Sequence, residues 1–167
     1  GHLTLVTEVK ALVNRSSTGG SPRRAVSDLD SARVAMLLAV LARHGQVVLS
    51  DHEVDASTVG GMAAQEPAAD LAIAIALASA AHEAAMPATL CAIGEVSLSG
   101  DVRRVPALSR RLAEAARLGF TTALVPSAHK GERVVCDGLE TVPVATLGEA
   151  MEAASNLRRR GTPGRRP

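Results

Sequence analysis

The sequence predicts one α+β (mixed α/β) domain built on a core of small aliphatic side chains. Segments with apolar residues at three- and four-residue spacing, typical of helices, are separated by short alternating segments typical of strands. Hydrophobic residues make up 47% of the 167 residues, yet Phe120 is the only aromatic residue. The length suits a single compact core. Strand-strand-helix order occurs twice before a β-rich end, which argues against a doubly wound sheet.

The first half of the chain predicts four strands and one helix. The helix begins at Asp30 and Ser31, and its apolar residues recur at helical spacing until Gly45 ends it. We expect the second strand to pair with the first, because a turn-rich segment joins them. The strands are predicted over residues 3–13, 23–27, 46–51 and 52–59, with the turn over 14–22.

A second helix is predicted from Pro67 to about Ala85. It is apolar nearly all round, which predicts a central helix buried on most sides. Gly60 and Gly61 precede it and are expected to form a tight turn. Asp70 lies in its first turn, where the helix dipole favours an acid; we prefer this interpretation to a catalytic carboxylate.

The second half predicts a hairpin, two more helices and several short strands. The hairpin is expected to turn near Gly100 and Asp101, and Gly119 is expected to end the helix that follows it. In order, the predictions are a strand over 88–93, the hairpin over 94–105, a helix over 106–118, strands over 121–126, 131–135 and 141–145, and a helix over 147–157.

The predicted domain spans residues 3–157. Gly1 and His2 (residues 1–2) resemble the remnant of a cloning tag, and residues 158–167, "RRRGTPGRRP", predict a disordered Arg-rich tail with nothing to bury. We expect Cys91 and Cys136 to be reduced core residues, because neither belongs to a C-x-x-C pair. No signal peptide or membrane-spanning pattern is found, which predicts a cytoplasmic protein.

Common catalytic and cofactor motifs are missing from the sequence. There is no phosphate-binding G-x-x-x-x-G-K-[ST] run, and the five histidines form no metal-ligand pattern, so we expect no metal and no cofactor here. Ser/Lys catalysis needs a lysine buried among apolar residues, and Lys10 and Lys130 are the only lysines. A residual hydrolase using Ser79 or Ser127 with Lys130 remains an alternative.

Four segments carry a resemblance to a known family. They are "VGG" (59–61), "EPAADLAIAIALAS" (66–79), "GEVSLSGDVRRV" (94–105) and "RRLAEAARLGFTTALVPSA" (110–128). In this order and spacing, the chain resembles the C-terminal domain of the bacterial RadA (Sms) DNA-repair family over nearly its whole length. That domain is similar to the proteolytic domain of Lon, a fold of the ribosomal-protein-S5 (domain 2) class.

The resemblance implies a fold that has lost its peptidase chemistry. Ala68 stands where Lon has its nucleophilic serine, and Ser109 stands where Lon has the lysine of its dyad. The family further implies a hexameric ATP-driven motor that acts on recombination intermediates by branch migration and strand-exchange extension, together with the recombinase RecA. Its zinc motif and ATPase core, which would hold Zn, ATP and Mg, are absent from this sequence.

Arginine clusters are the candidates for DNA contact. A near-neutral chain, with a formal net charge of +1, cannot attract DNA by its total field, so contact depends on local clusters. Binding would be sequence-independent and salt-dependent, to single-stranded, duplex or branched DNA. An ordinary solvated surface, or a scaffold that closes the hexamer without touching DNA, remains an alternative. The candidates are Arg23, Arg24, Arg103, Arg104, Arg110, Arg111, Arg117 and Lys130.

Overall fold

A computed structural model of the chain describes residues 8–16, 20–59, 64–127 and 136–160. It is a mixed α/β structure with both parallel and antiparallel strand pairs, which confirms the predicted class. A turn of 3-10 helix covers Pro67–Ala69. The other elements are β1 (Val9–Arg15), β2 (Arg24–Ser27), α1 (Ser31–His44), β3 (His52–Thr58), α2 (Asp70–Ala81), β4 (Leu90–Ala92), β5 (Glu95–Val96), β6 (Val102–Arg103), α3 (Leu108–Arg117), β7 (Thr122–Pro126), β8 (Glu140–Val144) and α4 (Leu147–Arg160).

The first sheet has the order β1-β3-β2. β3 lies antiparallel to β1, with Val9 opposite Thr58, and parallel to β2. The predicted pairing of β2 with β1 is therefore wrong. Helix α1 connects β2 to β3 as a crossover, which makes these two strands parallel neighbours and places β3 between β2 and β1.

Two predicted boundaries in the first half also differ. Residues 46–51 are not a strand, because Val47 and Leu49 fill the core from an irregular segment whose Val47 amide bonds to the carbonyl of Leu41. Helix α2 ends at Ala81 instead of Ala85. Glu83 has a positive φ of 50°, and the chain then turns back so that the Ala84 amide bonds to the carbonyl of Ser79.

The second sheet has the order β4-β7-β8, with parallel pairing throughout. The predicted hairpin is confirmed as the β5-β6 pair. Helix α4 continues to Arg160, so residues 158–160 are helical and not part of a disordered tail. The predictions for residues 3–7, Gly60 and Gly61, 131–135 and 161–167 lie outside the described residues.

Helix α2 is the centre of the core, as its apolar sequence predicts. It contacts β1, α1, α4 and β4, and Leu71, Ala74 and Leu77 have no exposed surface. A second, smaller cluster lies between α3 and the sheet formed by β4, β7 and β8. Cys91 is buried in that cluster, whereas Cys136 is only half-buried and corrects the prediction of two core cysteines; both are free thiols.

Candidate nucleic-acid interface

Helix α3 has one buried face and one basic exposed face. Leu108, Leu112 and Ala115 are buried in the second cluster, while Arg110 and Arg117 are exposed, which confirms the predicted amphipathic pattern. The Nε atom of Arg117 donates to a Glu114 carboxylate oxygen at 3.0 Å. Glu114 therefore offsets part of the charge of Arg117, and Arg110 keeps a whole positive charge at the surface.

Arg111 has a different environment from its neighbour Arg110. Its side chain is 3% exposed, its Nε atom donates to the carbonyl of Pro106 at 2.8 Å, and its guanidinium forms an ion pair with Glu66. The structure thus removes Arg111 from the candidate DNA contacts, because a phosphate could reach it only by displacing buried structure. The sequence spacing indicates this burial, because residue 111 lies three residues after Leu108 and four before Ala115, on the buried face of α3.

The β5-β6 hairpin holds Arg103 and the next residue, Arg104, both exposed, beside the start of α3. Its turn is fixed to the rest of the fold. Gly100 has a positive φ of 84°, and a Cβ atom there would lie 3.0 Å from the side chain of His44. The carbonyl of Gly100 accepts a hydrogen bond from the amide of Leu147 at 2.8 Å. The hairpin and α3 therefore present four exposed arginines from one continuous segment of chain.

The remaining candidates lie elsewhere. Arg24 belongs to the first sheet, and its guanidinium donates to the carbonyls of Leu49, at 2.8 Å, and His52. It therefore holds the segment before β3 in place, which is a structural role that the sequence did not reveal. Arg23 is exposed beside it. Lys130 lies outside the described residues.

Ala68 and Ser109, the two residues predicted from the sequence at the Lon dyad positions, have different environments. Ala68 is 7% exposed and packs in the second cluster, whereas Ser109 is exposed on α3. Ser79, one serine of the hydrolase alternative, donates its hydroxyl to the carbonyl of Ala84. Ser127 is half-buried, and its pairing with Lys130 falls outside the residues the structure describes.

The start of α2 holds a buried ion pair that the sequence did not predict. Asp70 has no exposed surface; its Oδ1 atom accepts from Arg33 Nε at 2.8 Å and its Oδ2 atom from the amide of Val96 at 3.1 Å. The hydrogen bond to Asp70 raises the pKa of Arg33 above its ordinary value. Asp70 is thus a helix-start acid, as predicted, and it also connects α1, α2 and the hairpin.

No group of three or more His, Cys, Asp or Glu residues in the described ranges could hold a metal ion. None of the helices described is long and apolar enough to cross a membrane.

Several curated proteins that share one name are similar to this chain over most of its length. The chain is 48% identical over 152 residues to the DNA repair protein RadA of Mycobacterium tuberculosis (strain H37Rv), covering 91% of this chain and 31% of the relative. The chain is similar to part of RadA. Identity to RadA of Escherichia coli (strain K12) is 37% over 157 residues, covering 94% of this chain and 34% of the relative.

A more distant relative supports the same match. RadA of Bacillus subtilis (strain 168) is 36% identical over 154 residues, with 92% of this chain and 33% of the relative covered. The chain therefore spans about a third of the length of these RadA relatives. Residues 59–129 also match a family model described as subunit ChlI of Mg-chelatase. That segment runs from the end of β3 past β7 and includes α2, the hairpin and α3.

Proposed function

We propose that this chain is a non-catalytic, DNA-binding and self-assembling domain of a bacterial DNA-repair protein of the RadA type. The observation that carries the proposal is similarity over 91% of the chain to proteins named DNA repair protein RadA. The exposed arginines of the hairpin and α3 give it a physical basis. We call these four residues, Arg103, Arg104, Arg110 and Arg117, the α3 surface.

The α3 surface contacts phosphates and not bases. Arginine guanidinium groups bind phosphate oxygens in a way that ignores sequence. Proteins that hold single strands by stacking need exposed aromatic side chains, and Phe120, the only aromatic residue of the chain, is 9% exposed in the second cluster. The proposed binding is therefore sequence-independent and sensitive to salt, and it suits duplex or branched DNA at least as well as single strands.

The fold is proposed to be of the Lon proteolytic class, without peptidase activity. Ala68 has no nucleophilic atom, and Ser109 has no basic group that could accept a proton at neutral pH. Restoring both groups by Ala68→Ser and Ser109→Lys would still place the serine at a buried position and the lysine at an exposed one, since Ala68 is only 7% exposed. A serine-reactive probe that labels the unmodified chain, with labelling lost on Lys130→Ala, would establish the hydrolase alternative instead.

In the longer protein, the domain is proposed to support a hexameric ring. The remaining two thirds of the RadA relatives would supply the zinc motif and the ATPase core with its ATP and Mg. The whole protein would then act with RecA on branched recombination intermediates, by branch migration and strand-exchange extension. This chain's contribution is to hold DNA and neighbouring subunits in place during that work.

Removal of charge from the α3 surface tests the DNA proposal. We expect Arg110→Ala with Arg117→Ala to weaken binding of a fluorescent duplex and to lower the salt slope, d log K/d log[salt], by about 2 in magnitude, because each lost phosphate contact removes about 0.9. A matched control removes two exposed arginines elsewhere, Arg15→Ala with Arg159→Ala, and should retain the slope. Equal losses in both double variants would contradict a localised surface.

Sedimentation separates DNA binding from a pure scaffold role. If the chain assembles but co-sediments with no duplex at low salt, it closes a ring without touching DNA. If it stays monomeric and binds duplex, the self-assembly part of the proposal fails for the isolated chain. The proposal expects assembly and DNA binding together, with the α3 surface variant losing only the second.

A further inference from the structure

A cleft of about 580 Å³ lies beside α2, between an edge strand of each sheet. Among the described strands, β1 is one edge of the first sheet and β4 is one edge of the second. Consecutive residues of both strands border the cleft, namely 9–11 of β1, with Glu8 just before it, and 90–92 of β4. Because side chains alternate along a strand, a run of consecutive residues means that the backbone edge itself forms the wall.

Alternate residues of β1 form hydrogen bonds with β3, and this alternation shows which backbone groups of β1 face the cleft. The Val59 amide donates to the carbonyl of Glu8, so Glu8 and every second residue after it bond to β3. The amides and carbonyls of Val9 and Ala11 therefore point away from β3, towards the cleft. Among the described residues, these groups have no hydrogen-bond partner.

The same reasoning applies to β4. The amide of Ile93, the residue after β4, donates to the carbonyl of Leu124 on β7, which turns the amide and carbonyl of Ala92 to the opposite side. No partner for Ala92 occurs within the part of the chain that the structure describes. Two sheet edges, each with backbone donors and acceptors that no described residue uses, thus border one cleft. Such edges bind an additional strand through main-chain hydrogen bonds.

The floor of the cleft limits the side chains of such a strand. Ala72, Ala76 and Ala80 recur every four residues along α2 and are half-buried, while residues 73–75, 77 and 78 of the helix are buried. These small residues leave the cleft deep enough for side chains that point towards the helix. The floor is apolar, so short aliphatic side chains would bury surface there, whereas a charged side chain would lose its hydration.

The rim has more negative than positive charge. Glu8 and Glu83 are exposed at the cleft, and Lys10 is the one cationic residue among its described lining. A basic residue at one end of an entering strand would match this rim. A second folded copy of the chain fits poorly, since a strand that already belongs to a sheet brings its neighbouring strand into a cleft bordered on both sides.

We propose that this cleft binds a single extended segment of a partner protein, which pairs with β1 as an added strand. Its side chains facing α2 are small and aliphatic, and a basic residue near the rim faces Glu8 or Glu83. The hydrogen bonds come from Val9 and Ala11. This binding is independent of the α3 surface and would persist if DNA binding failed.

Peptide binding to the full chain tests the proposal. The probe is a set of fluorescein-labelled peptides with alternating Ala, Val or Thr positions and a terminal Arg. We expect at least one pool to bind with a Kd below about 1 mM, a weak affinity suited to a short unstructured segment. In the complex, amide exchange of Val9 and Ala11 should slow, while that of exposed helix-terminal amides should not change.

Two matched comparisons make the result specific. Ala76→Leu fills the floor and should weaken binding about tenfold or more, whereas Ala113→Leu, the same change on the exposed face of α3, should have no effect. N-methylation of the peptide at alternate residues should abolish binding for at least one of the two alternating sets, because added strands need their amide donors.

Three outcomes would overturn the proposal. The first is that no pool binds. The second is that binding survives Ala76→Leu and both N-methylated sets, which would place the peptide elsewhere. The third is self-association of the chain that Ala76→Leu blocks, which would make a second copy the occupant.

Discussion

Adjacent arginines on α3 have opposite roles, and the same contrast separates two regions of the molecule. At the buried start of α2, Glu66 and Asp70 each bind one arginine, Arg111 from α3 and Arg33 from α1. On the α3 surface, Arg110 faces solvent with its charge available. Burial decides the difference: charges removed from water need a fixed partner, whereas charges in water are free to bind a ligand.

We therefore expect variants in the buried region to change stability and variants of the α3 surface to change binding. A helix position one residue further along the chain is rotated by about 100°, more than half of the way to the opposite face. Arg110 and Arg111 thus have the same chemistry and different consequences. Variants of the buried pairs should lower the free energy of unfolding, and variants of the surface should leave it nearly unchanged.

The largest expected effect is that of Asp70→Ala. It leaves the partly buried Arg33 without its carboxylate and the Val96 amide without its acceptor. Removing one partner of a buried ion pair costs about 3 kcal/mol or more of unfolding free energy, measured by urea denaturation. Replacing both partners, by Arg33→Leu with Asp70→Leu, should cost less than Asp70→Ala alone. A loss below about 1 kcal/mol for Asp70→Ala would show that water compensates the pair.

Arg111→Ala should have the next largest effect. Glu66 is 25% exposed, so water can reach its carboxylate when the guanidinium is lost, and we expect a cost of about 2 kcal/mol. The adjacent change, Arg110→Ala, is the control and should shift stability by no more than about 0.5 kcal/mol. If the two variants destabilise equally, the contrast between the two faces of α3 is wrong.

Much of this architecture follows from local patterns in the sequence. Asp30 caps α1 through its side chain, Gly45 ends that helix, and the hairpin turns at Gly100, all at the predicted positions. Each of these features depends on residues close together in the chain. The apolar sequence of α2 likewise predicted its central place, since no single face of it could be left in water.

The features that the sequence did not reveal depend on residues far apart. The position of β2 beside β3 depends on the path of α1 across the sheet, which no strand pattern encodes. Arg33 and Asp70 are 37 residues apart, and nothing in either segment identifies the partner. The burial of Arg111 is different, because its spacing from Leu108 and Ala115 placed it on the apolar face. Its positive charge suggested an exposed residue, although its spacing in the sequence already indicated a buried one.

A smaller effect is expected at the turn that holds the α3 surface. Gly100→Ala forces a side chain into a positive φ and brings its Cβ to 3.0 Å from His44, which should cost about 1–2 kcal/mol. Gly138 also has a positive φ, with nothing within 4 Å of a Cβ atom. Gly138→Ala therefore measures the backbone strain alone, and its cost should be the smaller one. Equal thermal shifts would show that His44 moves aside freely.

The smallest expected effect concerns the exposed carboxylate of Asp51, which lies in the turn just before β3. A hydrogen bond from the backbone of Asp51 is the main cause that lowers its pKa, and His52, whose Nδ1 atom lies 2.8 Å from Oδ1, lowers it further. A lowered folded-state pKa means that the stabilisation is complete at neutral pH and is lost as the pH falls through that pKa.

An NMR titration of the Asp51 carboxyl carbon should therefore give a midpoint below that of an unfolded aspartate. His52→Gln should raise the midpoint only in part, because the backbone hydrogen bond remains. A midpoint at the ordinary value in the unmodified chain would mean that exposure to water, and not hydrogen bonding, sets the behaviour of Asp51.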